Sequence, residues 1–95
     1  MYTLTAKLTY HVPNAISLKD KRQVTRSLID RAKQKFNVAI AEVDTQDSHQ
    51  ILTIGIAIVS GDVTHLYQQR DSVLRFLETG SNAELMNITT DEYSL

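Results

Sequence analysis

With 95 residues, 42% of them hydrophobic and 22% charged, the chain has the make-up of one modest folded domain spanning 1–95, not of a disordered segment. The absence of cysteine excludes disulfides, thiolate metal sites and iron–sulfur clusters, and it fits a reducing, cytoplasmic setting. The formal charge of −1 is unevenly spread: seven of the ten Lys and Arg fall within residues 17–36 with only Asp20 and Asp30 against them, so the remainder is acidic and the segment suits an anionic partner.

Residues 2–12 alternate. Tyr2, Leu4, Ala6, Leu8, Tyr10 and Val12 point one way, and Thr3, Thr5, Lys7, Thr9 and His11 the other, as in a half-buried strand and unlike a signal peptide. Pro13 and Asn14 end it. Ser17 stands three residues before Asp20, a variant of the capping box that opens a helix. Val24, Leu28, Ala32 and Phe36, flanked by Leu18 and Ile29, form its buried stripe. Asn37, which tolerates the left-handed conformation, is the expected stop.

Residues 38–44 read as a short strand, and Thr45 to Ser48 supply turn residues. Residues 49–60 form the strongest strand, with Leu52, Ile54, Ile56 and Ile58 toward the core. Its other face, Ile51, Thr53, Gly55, Ala57 and Val59, is small and fairly apolar. Asp62 caps a second helix whose stripe is Val63, Leu66, Tyr67, Val73, Leu74 and Leu77, with Arg70 among them and His65 on the surface. Gly80 stops it. Residues 84–90 make a last short strand, and the acidic tail DEYSL is expected to be mobile. No apolar run approaches the ~20 residues of a membrane span.

The order βαββαβ predicts an α+β, ferredoxin-like sandwich: a four-stranded antiparallel sheet with two helices on one face. Right-handed crossovers place the first and third strands in the middle. The other face lacks a covering layer, so a homodimer through the open side of the third strand, around Ala57, is expected.

At HVPNAISLKDKR, FNVAIAEVDTQD and TIGIAIVSGD the chain resembles the YlxP-like family of small bacterial proteins, a domain of unknown function. The resemblance covers nearly the whole chain. It implies a ferredoxin-like fold, a cytosolic bacterial protein and no established activity. In some bacteria such genes lie beside those for translation and ribosome-maturation factors. Where the family often carries an aromatic residue, this chain has His49.

Three constellations carry chemistry. Lys19, Arg22, Arg26 and Lys33 fall within about 60° of one another at 100° per residue and form an exposed stripe. Such a stripe tracks phosphates, Arg forking onto oxygens and Lys acting as a point charge, or it is a solvated helix flank. Lys21 lies within the apolar stripe and needs a carboxylate; Asp44 and Asp47, in the turn at the same end of the sheet, are the expected partners. His11, Asp44, Asp47 and His49 share one end of the sheet and are of metal-ligating types, though turn Asp and strand-end His are more often solvated. Neither metal nor cofactor is expected. No HExxH, P-loop or GxGxxG motif is present, and no Ser has a His–acid partner. The open face offers no aromatic platform for stacking bases, as an RNA-recognition motif would. The loop HVPNAIS has neither Arg nor Gly for an acylphosphatase-like anion cradle.

These features favour a non-enzymatic binding module, an RNA- or ribosome-associated accessory protein that uses the basic face of its first helix. The alternatives are a dimeric protein-interaction module binding an acidic protein and, third, a small metal-dependent enzyme.

Overall fold

A computed structural model describes residues 1–95. The elements run β1 (Tyr2–His11), α1 (Leu18–Lys35), β2 (Ala39–Glu42), β3 (Ile51–Ser60), α2 (Val63–Thr79) and β4 (Glu84–Ser94). The sheet is antiparallel, in the order β2-β3-β1-β4, so the expected ferredoxin-like topology is present. The two central strands are the two with the clearest alternation: Leu4, Leu8 and Tyr10 from β1 and Leu52, Ile54 and Ile58 from β3 are buried under the helices. Helix α1 packs on β2, and α2 packs on β3 and β1. Leu28, Ala32, Leu66, Val73 and Leu77 close the core from the helical side.

Local chemistry sets the helix ends. The Asp20 N–H donates to Ser17 Oγ at 3.2 Å, and the Asp20 carboxylate accepts from the Ile16 N–H at 3.1 Å, so two donors at the start of α1 are satisfied reciprocally. At α2 the His65 N–H donates to the Asp62 carboxylate. The Leu77 carbonyl, in the last turn of α2, accepts from the Tyr10 hydroxyl at 2.9 Å. A buried phenol thus serves a carbonyl that the helix cannot satisfy itself.

Several boundaries differ from expectation. The second strand spans only 39–42, and the third begins at Ile51 because Thr45 to Gln50 form the turn. Helix α1 ends on Phe36 in extended conformation, and Asn37 is not left-handed; the single residue with positive φ is Asp44, at 63°. Gly80 ends α2 in a right-handed conformation, where its hydrogen matters because a Cβ would stand 2.6 Å from the Phe76 carbonyl oxygen. The largest correction concerns the tail: residues 91–94 continue β4 beside the start of β1, with Thr5 opposite Asp91 and Tyr2 opposite Ser94. The first half of β1 would otherwise carry unpaired N–H and C=O groups along that side.

Candidate functional site

The seven basic residues of the 17–36 segment divide into two groups. Lys21, Arg31 and Lys35 are used within the molecule. Lys21 is fully buried, as its place in the apolar stripe requires, and its ammonium lies 2.8 Å from Glu42 Oε2. It donates to the carbonyl oxygens of Thr45 at 2.7 Å and Ile51 at 3.2 Å. The expected pinning of the helix start to the EVDTQD segment is present, but the carboxylate is Glu42, not Asp44 or Asp47. Parity explains the difference. Ile40 and Glu42 lie opposite Ile56 and Ile54 and share the helix-covered face, whereas Asp44 lies past the strand and pairs with Lys7 at 2.6 Å. Asp47 is exposed and makes no ion pair. Glu42 Oε2 is buried and accepts no well-aligned hydrogen bond, so charge is what holds it beside Lys21.

Arg31 donates to the Ser27 carbonyl at 3.2 Å and lies over the Phe76 ring; Lys35 stands between the rings of Phe36 and Phe76, which meet edge to face. Both cations therefore line the seam between α1 and α2.

The other four, Lys19, Arg22, Arg26 and Lys33, are all exposed and none makes an ion pair. They are the stripe read from the 100° spacing. The helix directs them away from the core residues Lys21, Thr25, Leu28 and Ala32. Asp30 is also exposed, on the flank of this row four residues past Arg26, and is likewise unpaired. The Arg side chains thus keep their forked donors free for an external acceptor.

The His11, Asp44, Asp47, His49 group does not converge. His11 Nδ1 faces Glu84 Oε2 at 3.4 Å, Asp44 is taken by Lys7, and no group of three or more His, Asp or Glu is placed to hold a metal ion.

The open sheet face carries a shallow groove of about 620 Å³ whose lining includes Thr5, Lys7, Ala41, Gly55, Ala57 and Asp91. Its lining is largely apolar, as expected, with polar groups standing on it. The Lys7–Asp44 pair stands on it, Val43 folds over Gly55 to within 3.2 Å of where a Cβ would be, and Thr53 is buried, accepting a hydrogen bond from the Thr45 hydroxyl.

A family profile described as "Protein of unknown function (DUF503)" matches residues 3–90. The chain belongs to this family. It is 36% identical over 80 residues to the uncharacterized protein YlxP of Bacillus subtilis (strain 168), a match covering 84% of this chain and 86% of that protein. Among solved structures it is similar to two de novo designed proteins. LFR1 1, described as having a ferredoxin fold, gives a TM-score of 0.57 at 14% identity, with 100% of this chain and 88% of that one covered. Foldit4 gives 0.53 at 9% identity, with 99% and 97% covered. At 14% and 9% identity, both likenesses concern the fold alone. No helix is long and apolar enough to cross a membrane.

Proposed function

We propose that the chain is a non-enzymatic binding module that contacts structured RNA, or the RNA of a ribonucleoprotein such as the ribosome, through the outer face of α1. One observation carries this reading: Lys19, Arg22, Arg26 and Lys33 form a row of exposed cations with no carboxylate partner, on a helix whose other three cations, Lys21, Arg31 and Lys35, are used internally. A row of unpaired Arg and Lys on a rigid helix suits the regular spacing of phosphates. The acidic remainder of the chain repels nucleic acid and so orients the contact. An RNA partner also requires a cytoplasmic location.

The test is recovery of the tagged protein from cells, with and without nuclease, beside a variant carrying Arg22→Glu and Arg26→Glu. Both side chains are exposed, so the variant keeps the fold. RNA or ribosomal particles should accompany the wild type, disappear with nuclease and be absent from the variant. A partner that survives nuclease and is lost only in the variant means that α1 binds an acidic protein instead. Equal recovery by both forms means that the stripe is a solvated flank.

A further inference from the structure

Strand β4 is the long free edge of the sheet. Ten of its eleven residues are exposed, because the two helices pack on the other three strands. The opposite edge, β2, has only four residues. Natural sheets blunt a long edge with charge, proline or cover. Here the one irregularity lies at the start of the strand, next to Glu84, where Thr9 pairs Asn87 but Tyr10 pairs Leu85; residues 87–94 run in regular register along β1. β4 has no proline. The Glu92 carboxylate accepts from the Tyr67 hydroxyl at 2.8 Å and lies 4.0 Å from Arg70, folded back toward α2. The Asp91 carboxylate accepts from the Tyr93 hydroxyl at 2.7 Å through one oxygen and from the Glu92 N–H at 2.9 Å through the other. Met86 is 61% and Tyr93 60% exposed on the same strand.

The ladder fixes which groups face outward. Met1 and Leu95 exchange hydrogen bonds at 2.8 Å in both directions. Such exchanges recur at every second pair of an antiparallel ladder. With Thr3 opposite Tyr93, Thr5 opposite Asp91 and Lys7 opposite Thr89, those pairs bond β1. Ile88, Thr90, Glu92 and Ser94 therefore direct their N–H and C=O groups to the free edge; of these the Glu92 N–H is held by Asp91 Oδ1 at 2.9 Å and exchanges that bond on pairing.

We propose that β4 is a self-pairing edge: two copies join antiparallel through it, about a two-fold axis at Thr90, into one continuous eight-stranded sheet. An antiparallel edge is its own complement under a two-fold rotation. With Thr90 on the axis, Ile88 of one copy lies beside Glu92 of the other, and the Thr89 hydroxyl lies beside the Asp91 carboxylate of the other. An axis at Asp91 would instead set that carboxylate against its own copy, which like-charge pairing disfavours. Only 20 of the 95 residues are buried in a single chain, so the paired edge adds order that a small core lacks. The axis is perpendicular to the sheet. Both helical layers then share one side, with the two α1 helices at its outer flanks.

Light scattering tests this on the full chain. The wild type should show about twice the 10.7 kDa of one chain. Thr90→Pro removes an outward N–H at the axis and leaves the bonds to β1 in place, so it should give a folded monomer. Ala57→Glu, on the open face, should remain dimeric. Because the chain has no cysteine, Thr90→Cys provides a check that does not rely on proline being tolerated. Directly opposed residues of a hydrogen-bonded pair have Cα atoms about 5.5 Å apart, within disulfide reach, so oxidation should cross-link this variant to a dimer. A monomeric wild type overturns the proposal, as does a Thr90→Cys form that stays uncrosslinked on oxidation. A dimer split by Ala57→Glu and not by Thr90→Pro would assign pairing to the open face and equally overturn it.

Discussion

Lys21 and Glu42 form an ion pair at 2.8 Å beneath the start of α1, with the lysine side chain wholly buried. The pair ties α1 to β2, and the same ammonium holds the Thr45 and Ile51 carbonyls on either side of the turn. Removing one member of such a pair strands the other in low dielectric and costs about 3–5 kcal/mol. Lys21→Met should cost in that range, since it also orphans two carbonyls. Glu42→Leu should cost less, because the lysine left behind keeps the Thr45 and Ile51 carbonyls as acceptors. The double variant should be more stable than the sum of the two losses implies, and a denaturant double-mutant cycle measures that coupling.

The partner of Lys21 was within reach of the sequence. A strand alternates, and Ile40 belongs to the core, so Glu42 two residues on shares its face. The turn acids Asp44 and Asp47 attract attention through proximity, but one lies beyond the strand with positive φ and the other in the loop. The basic stripe was legible because a helix of 18 residues fixes angles over several turns. The end of β4 was not legible. TTDEYSL has no apolar alternation, and its extended state is imposed by the unpaired side of β1. A long-range cause of this kind leaves no local signal.

Leu28 is fully buried at the middle of α1, among residues of both helices and the sheet. Leu28→Ala should lower stability by about 2–5 kcal/mol. A denaturant midpoint close to wild type would mean that this face of α1 is not the core face.

Gly80 is required by close approach and not by a left-handed turn. An alanine Cβ there would stand 2.6 Å from the Phe76 carbonyl oxygen, which already accepts the Gly80 N–H at 2.7 Å. Gly80→Ala must shift backbone, and the melting temperature should fall by the equivalent of about 1–3 kcal/mol. Gly61, with open space around it, should accept alanine at little cost.

Burial, and secondarily the charge of Glu78, pushes the Tyr10 phenol above its ordinary value of 10.0. Ionisation is thereby favoured in the unfolded chain. The associated stability is fully present below pH 10.0 and declines as pH rises beyond it. Tyr10→Phe loses the bond to the Leu77 carbonyl and should cost about 1 kcal/mol at neutral pH. It also lacks the ionisable group, so the gap between variant and wild type should narrow as urea midpoints are followed above pH 10.0. A gap that stays constant would show that Tyr10 ionises equally in both states.

If the four free cations of α1 each neutralise one phosphate, the strength of RNA binding is tied to salt. On a single-stranded probe, four contacts at ~0.7 each give a log–log slope of about −3. Lys33→Gln removes one contact and should reduce that slope by about 0.7 without changing the fold. Arg22→Lys keeps the charge and so the slope, but it loses the forked contact, and affinity should fall at every salt concentration. Lys35→Gln is the internal control. Its ammonium lies 5.3 Å from the Phe76 ring centre, in the seam between the helices and outside the stripe, so the slope should not move. A Lys35 variant that lowers the slope as much as Lys33→Gln does would mean that the basic segment attracts RNA diffusely, and that the ordered row on the outer face of α1 is not the contact.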